Sequence, residues 1–348
     1  MSHGSAKTPP ARPASLDRRH VLGLAASGLA ASALAGLGTA ADAQATATPA
    51  VDLTGVTLRL ADYKGGDSLV LKAAGRDRTP YRIALAEFAS GNLIVEAINA
   101  GAIDLGSMSE TPPVFGAAAG ARISVVAVIK DDVNWQVVLV PKGSSIQSVA
   151  ELKGKRVGYV RATTTHYYLA KMLAKVGLSF SDITPVALTP AEGQSAFVQG
   201  SLDAWAIYGY NVPFAINDGA RVLITSSGYL SGNSLYAANP ATLQDARHTA
   251  AIADLFHRLR QAYVWREANL ERWAEIRSRA IGVPTAVDYE ILTKASRRRD
   301  LFPVTDADIA SAQNVADVFR DLKVLPRPID VAPLFDRRFN DGLARALS

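Results

Sequence analysis

The chain has 348 residues, 37 Lys and Arg against 32 Asp and Glu, a formal net charge of +5, and 49% hydrophobic content. That is globular composition, long enough for two domains, and it excludes disordered and fibrous classes. There is no cysteine, which excludes disulfides, thiolate zinc sites, cysteine nucleophiles and a cysteine-borne lipid anchor. The basicity is diffuse. Its longest run, Arg297-Arg298-Arg299, reads as the solvated end of a helix. With neither a basic stripe nor a reader motif, no nucleic-acid partner is expected.

Residues 1–17 are polar and proline-rich. Arg18-Arg19 then precede an uncharged Ala/Gly/Leu/Ser run from Val21 to Ala41, followed by small-x-small sites at Ala41-Asp42-Ala43 and Ala43-Gln44-Ala45. This is the order of a secretory signal, and the arginine pair with a weakly hydrophobic core resembles a twin-arginine signal. Residues 1–45 are therefore expected to be removed after Ala43 or Ala45, placing the mature chain in the periplasm. It keeps 33 basic and 30 acidic residues.

From Val56 short apolar strands alternate with helical segments. Strands are predicted over 56–61, 81–88, 103–107, 124–129 and 135–140, with helices over 67–74, 92–100 and 112–119. A second cycle follows Pro141-Lys142-Gly143-Ser144. It has strands over 156–160, 184–188, 203–208 and 221–225, a helix over 165–176 ending at Gly177, and a capping box at Thr189-Pro190-Ala191-Glu192. An extended segment over 234–238 leads back. The remainder is predicted helical: 248–279, 285–298, 306–322 and 333–346. Its stripe of Leu255, Leu259, Ala262, Tyr263, Trp273 and Ile276 reads as core.

This is the α/β class. It implies two lobes, each a mostly parallel sheet flanked by helices, with a ligand cleft between them. Lobe 1 is expected over 56–140 plus 239–348 and lobe 2 over 141–238, joined by crossings near 140–142 and 236–239. Ligands of open α/β sheets sit beyond the carboxyl ends of strands, where free N–H groups of helix N-termini favour anions.

Several stretches resemble the nitrate/sulfonate/taurine branch of ABC-importer solute-binding proteins, above all the aliphatic sulfonate binders. They are residues 58–66 (LRLADYKGG), 87–91 (EFASG), 96–106 (EAINAGAIDLG), 110–115 (ETPPVF), 117–121 (AAAGA), 149–157 (VAELKGKRV) and 196–205 (AFVQGSLDAW). Their order and spacing match over about 56–240. The resemblance implies a type II periplasmic-binding fold closing by hinge motion, no cofactor or metal, and an inner-membrane ABC permease with its cytoplasmic ATPase as partners. A monomer is expected.

It also implies that Lys64-Gly65-Gly66 meet the ligand, their glycines letting backbone N–H groups approach closely. Ser90, Gly91 and Asn92 open the next helix as caps or ligand donors. Glu110 and Thr111 end a strand facing the expected cleft, in structural or ligand roles. Arg161, Ala162 and Thr163 stand where the family shows Lys-Gly-Ser. With Thr164, Thr165 and His166 they open the second-lobe helix as an anion cradle of hydroxyls and N–H groups. His166 can equally be a packed helix residue. Trp205 and Tyr208 are either aromatic walls or, for Trp205, lobe core. Asp62 can pair with an amine on the ligand. Tyr208-Gly209-Tyr210 replaces the family's Trp-Asp-Pro, and Asp62-Tyr63 its Tyr-Gln.

The reading is transport of a small anion, with no catalysis. A periplasmic sensor subunit for a signalling receptor is the alternative. Enzymes resembling this architecture, desulfinases and thiamin-pyrimidine synthases, depend on a cysteine that this chain lacks.

Overall fold

A computed structural model describes residues 51–295 and 297–345; the export signal expected over 1–45 lies outside them. Strands and helices alternate as β1 (Thr57–Asp62), α1 (Asp67–Ala73), β2 (Arg82–Glu87), α2 (Gly91–Asn99), β3 (Leu105–Ser109), α3 (Thr111–Ala118) and β4 (Ser124–Lys130). Next come β5 (Gln136–Val140), β6 (Arg156–Tyr159), α4 (Thr164–Lys175), β7 (Thr184–Ala187), α5 (Pro190–Val198), β8 (Ala204–Tyr208), α6 (Asn211–Asn217), β9 (Arg221–Thr225) and β10 (Asn233–Ala238). The tail holds α7 (Ala246–Ala268), α8 (Leu270–Ile281), α9 (Thr285–Thr293), β11 (Asp300–Phe302), α10 (Asp306–Asp321) and α11 (Asn340–Arg345).

Two sheets form, in the orders β11-β4-β10-β3-β1-β2 and β7-β6-β8-β5-β9. In each, four strands share one direction, and one strand from across the chain inserts antiparallel: β10 between β3 and β4, and β5 between β8 and β9; β11 adds a second antiparallel strand at the edge of the first sheet. The mostly parallel α/β class is thus confirmed. The crossings are not where the sequence put them. β5 belongs to the second sheet and β10 to the first, so the chain passes between sheets over 131–135 and 226–232. Both strands are almost wholly buried. Such apolar runs suit either sheet, so their pattern does not reveal the exchange.

The two halves repeat one device. Arg59 on β1 gives its backbone N–H (2.8 Å) and Nε (2.9 Å) to Asp104 Oδ2 and reaches the carbonyl of Gly101. Arg156 on β6 does the same with Asp203 (2.8 and 3.1 Å) and the carbonyl of Gly200. In both, the Gly-x-x-Asp turn closing a helix is tied to the strand next to one edge of its sheet. The guanidinium satisfies a carboxylate and a carbonyl together.

The tail is more broken than its stripe suggests. α7 stops at Asn269 before α8, and the segment predicted as a helix to 298 ends at Thr293 and turns into β11. Leu255, Leu259, Ala262 and Tyr263 pack into the core over the first sheet. α8 turns into α9 through Gly282, left-handed at φ 82°. Trp135, on the first crossing, donates its indole N–H to the carbonyl of Ile291 on α9 at 3.2 Å, fixing this hairpin beside the crossing.

Candidate functional site

A cavity of about 330 Å³ lies where β1, β3 and β8 end and where α2 and α4 begin. Residues paired into both sheets line it, among them Ser109 and Ser234 of the first and Gln136 and Tyr208 of the second. Helix starts turn up here because a strand leaving the sheet must reverse, and the first N–H groups of the following helix have no intrahelical partner.

The β1–α1 turn is built by Asp62. Its carboxylate accepts from the N–H groups of Tyr63 (2.8 Å), Asp67 (3.0 Å) and Ser68 (2.7 Å). A Cβ on Gly66 would fall 2.2 Å from Asp62 Oδ1, so the turn closes only on glycine. Burial, with Asp67 nearby, raises the Asp62 pKa despite the N–H groups that oppose it. Asp62 is 5% exposed, is engaged by three N–H groups and lies outside the lining of this cavity, so it organises the turn rather than facing a ligand there. Lys64, Gly65 and Gly66 line the cavity, Lys64 lying 5.7 Å from the Tyr210 ring centre.

At the start of α2, Gly91 lines the cavity. It is packed so that a Cβ would meet Met108 Cβ and Pro112 Cγ, each at 2.9 Å. Ser90 holds the N-cap position without a side-chain cap bond. Neither Ser90 nor Asn92 contributes to the lining, and Asn92 Oδ1 is buried without a partner.

At the start of α4, Thr163 and Thr164 face the cavity. The Thr163 hydroxyl donates to the carbonyl of Val160 at 2.8 Å, whereas no hydrogen bond holds the Thr164 hydroxyl among the described residues. Thr165 turns inward, its hydroxyl bonded to the carbonyl of Val160 and accepting from the Val160 N–H. Ala162 sits at φ 60°, a left-handed conformation costly for a side chain bearing Cβ. Arg161 is exposed and outside the lining.

His166 packs among Phe115, Tyr159, Phe180 and Phe319, with ring centres 4.9 to 6.2 Å away. Burial first, then the Arg161 charge, pushes its pKa down to about 4. It is a neutral packing residue. Trp205 is 1% exposed and lies against Gly193 and Phe197; it is lobe core, not a cleft wall. Tyr208 does line the cavity, its hydroxyl buried near Thr163 without a well-formed hydrogen bond.

Glu110 lies in a smaller adjoining space of about 80 Å³. It accepts from Ser231 (2.6 Å), Ser311 (2.8 Å) and Asn233 (3.4 Å), tying the second crossing to α10. Burial raises its pKa against these donors. The role is structural. Thr111 beside it is fully buried, with Oγ1 unpartnered.

Sequence reasoning missed the wall supplied by the tail: Tyr263, Arg266, Trp273, Arg277, Ile291 and Arg299. Arg299, assigned to a solvated helix end, instead bonds Asp67 (3.1 Å) and Asp131, with its guanidinium 5.2 Å from the Tyr263 ring centre. Burial disfavours the Asp67 charge. Arg299 and the Tyr236 and Tyr263 hydroxyls outweigh it and hold that carboxyl below its usual range. Only the Trp273/Arg277 pair at helical i,i+4 spacing could have hinted at this wall. Among the described residues no group of His, Cys, Asp and Glu could hold a metal, and no helix is long and apolar enough to cross a membrane.

Two sheets with one exchanged strand each, and a cavity lined from both, define the type II periplasmic-binding fold of solute-binding proteins. Residues 82–263 match the NMT1/THI5-like family. An Escherichia coli K12 protein named as an aliphatic sulfonates-binding protein is 32% identical over 286 residues, covering 79% of this chain and 86% of that one. The alkanesulfonate-binding protein SsuA of Xanthomonas axonopodis pv. citri, solved bound to MOPS, matches with TM-score 0.75 at 31% identity, over 82% of this chain and 99% of that one. The periplasmic aliphatic sulphonate binding protein SsuA of E. coli gives TM-score 0.69 at 31% identity, over 79% and 90% of the two chains. The chain belongs to the NMT1/THI5-like family and is similar to solute-binding proteins of ABC import systems.

Proposed function

We propose that this chain is an exported periplasmic protein that binds a small sulfonate in the cavity described above. It then delivers the solute to an ABC permease driven by a cytoplasmic ATPase. The observation that carries the reading is the convergence of the α2 and α4 N-termini on one cavity, with the Thr164 hydroxyl unpaired at its wall. A sulfonate offers three acceptor oxygens and one negative charge, matching free N–H groups and positive helix ends. Lys64, Gly65, Gly66, Gly91, Thr163, Thr164 and Tyr208 are the residues proposed to surround it. Trp135, Tyr210 and Trp273, also at the wall, give an organic tail an apolar surface.

The resemblance to sulfonate-binding relatives supports the same class of solute. Binding and hinge closure suffice for the role, with no bond made or broken. A thermal-shift series with ethanesulfonate, taurine, nitrate and acetate tests it, since a ligand that binds only the native state raises Tm. Stabilisation by the sulfonates and not by acetate is expected. No shift with any sulfonate contradicts the reading.

A further inference from the structure

The polar groups of the cavity are unevenly satisfied. The three carboxylates lining it are all engaged. Asp67 accepts from Tyr236, Tyr263 and Arg299; Asp131 from Arg299 and the Asp132 N–H; and Asp132 from the Asn134 N–H. Of the three lining guanidinium groups, Arg299 is held by Asp67 and Asp131, whereas those of Arg266 and Arg277 are left short of partners. Arg266 Nε is buried without a hydrogen-bond partner, 3.5 Å from Glu267 Oε1. Arg277 makes no hydrogen bond among the described residues; its Nη1 lies 3.3 Å from Asp288 Oδ1, and neither Asp288 oxygen accepts one. Both arginine side chains are mostly buried, 11% and 19% exposed. Buried donors without acceptors are costly and are ordinarily completed by water or ligand.

We propose that the cleft selects a sulfonate whose far end carries a second acceptor group, a carboxylate or another sulfonate foremost, received by Arg266 and Arg277. The inference rests on the cavity being the solute site and narrows its solute class. A planar guanidinium fork fits an oxyanion in two-point contact. An ammonium at the same end meets spare donors and no spare carboxylate on the cavity lining, because the unbonded oxygens of Glu267 and Asp288 lie behind the arginines and outside that lining, so a taurine-like zwitterion is disfavoured by what it leaves unpaired. Burial lowers the Arg277 pKa and raises that of Asp288, each countered by the other's charge. Two arginines sharing so little hydrogen bonding agree with a pair held ready for a third, anionic partner.

The test is calorimetric titration of the wild-type chain at fixed ionic strength with four matched solutes: ethanesulfonate, taurine, 3-sulfopropionate and ethane-1,2-disulfonate. Either of the last two should bind at least about tenfold more tightly than ethanesulfonate, and taurine more weakly than ethanesulfonate. In Arg277→Gln that advantage should shrink to about threefold or less. Should the single variant fold poorly because Asp288 is left unpaired, Arg277→Gln with Asp288→Asn serves instead. Ethanesulfonate binding with an equal or better affinity for taurine than for the dianions overturns this inference alone. Absence of binding by all four overturns the sulfonate reading with it.

Discussion

Arg299 and Asp67, 232 positions apart in the chain, meet at 3.1 Å beside the cavity. Asp67 opens α1, Arg299 precedes β11, and Asp131 on the first crossing holds the other arm of the same guanidinium. One side chain thus joins the start of the first lobe, the crossing and the tail. Replacing Asp67 by Asn removes one partner of a buried pair and should cost about 3–5 kcal/mol at pH 7, read by chemical denaturation. A carboxyl held below its unfolded value stabilises the fold at pH above about 4, and that stabilisation disappears as pH falls through the native value. The deficit of Asp67→Asn should therefore narrow in acid below about pH 4. A deficit unchanged down to pH 2 would show that the charge of Asp67 is not what stabilises.

His166 gives a different acid response. Its native pKa is about 4, against about 6.5 in an unfolded chain. Below pH 6.5 the unfolded state takes up a proton that the native state refuses. Stability should therefore fall between pH 6.5 and 4, by up to about 3 kcal/mol from this group. His166→Phe should flatten that window and leave sulfonate affinity unchanged. A loss of affinity would return His166 to the site.

Ala162 occupies a left-handed conformation just before α4. Relief of Cβ strain should let Ala162→Gly stabilise the chain by about 1 kcal/mol, offset in part by the greater freedom of unfolded glycine. A lower Tm would mean that the strain is absent.

The two threonines facing the cavity should separate. Thr163 donates to Val160, so Thr163→Ala should lower stability by about 1 kcal/mol. Thr164 is unpaired, so Thr164→Ala should weaken sulfonate binding by about 1.5–3 kcal/mol with little effect on stability. Equal affinities for wild type and Thr164→Ala would take that hydroxyl out of the site.

The α/β alternation, the turn after β1 and the α4 start could be read from the sequence because each carries a local signal: glycines where the chain turns, or hydroxyls at a helix entry. Such signals picked out Lys64, Gly66, Gly91 and Thr164, which line the cavity from its two sides. They say nothing about burial, so Asp62, Glu110 and His166 looked like site residues when each is occupied by its own neighbours. Arg299 was hidden for the converse reason. A run of three arginines is usually solvated, and only the tertiary fold brings two aspartates to one of them. The exchanged strands β5 and β10 were invisible because a fully buried apolar strand suits any sheet.

Diffraction from crystals grown with ethanesulfonate tests the central claim most directly. The sulfonate oxygens should lie about 3 Å from backbone N–H groups at the starts of α2 and α4 and from the Thr164 hydroxyl. A sulfonate bound elsewhere on the chain, with those helix starts facing only solvent or protein, would contradict the account.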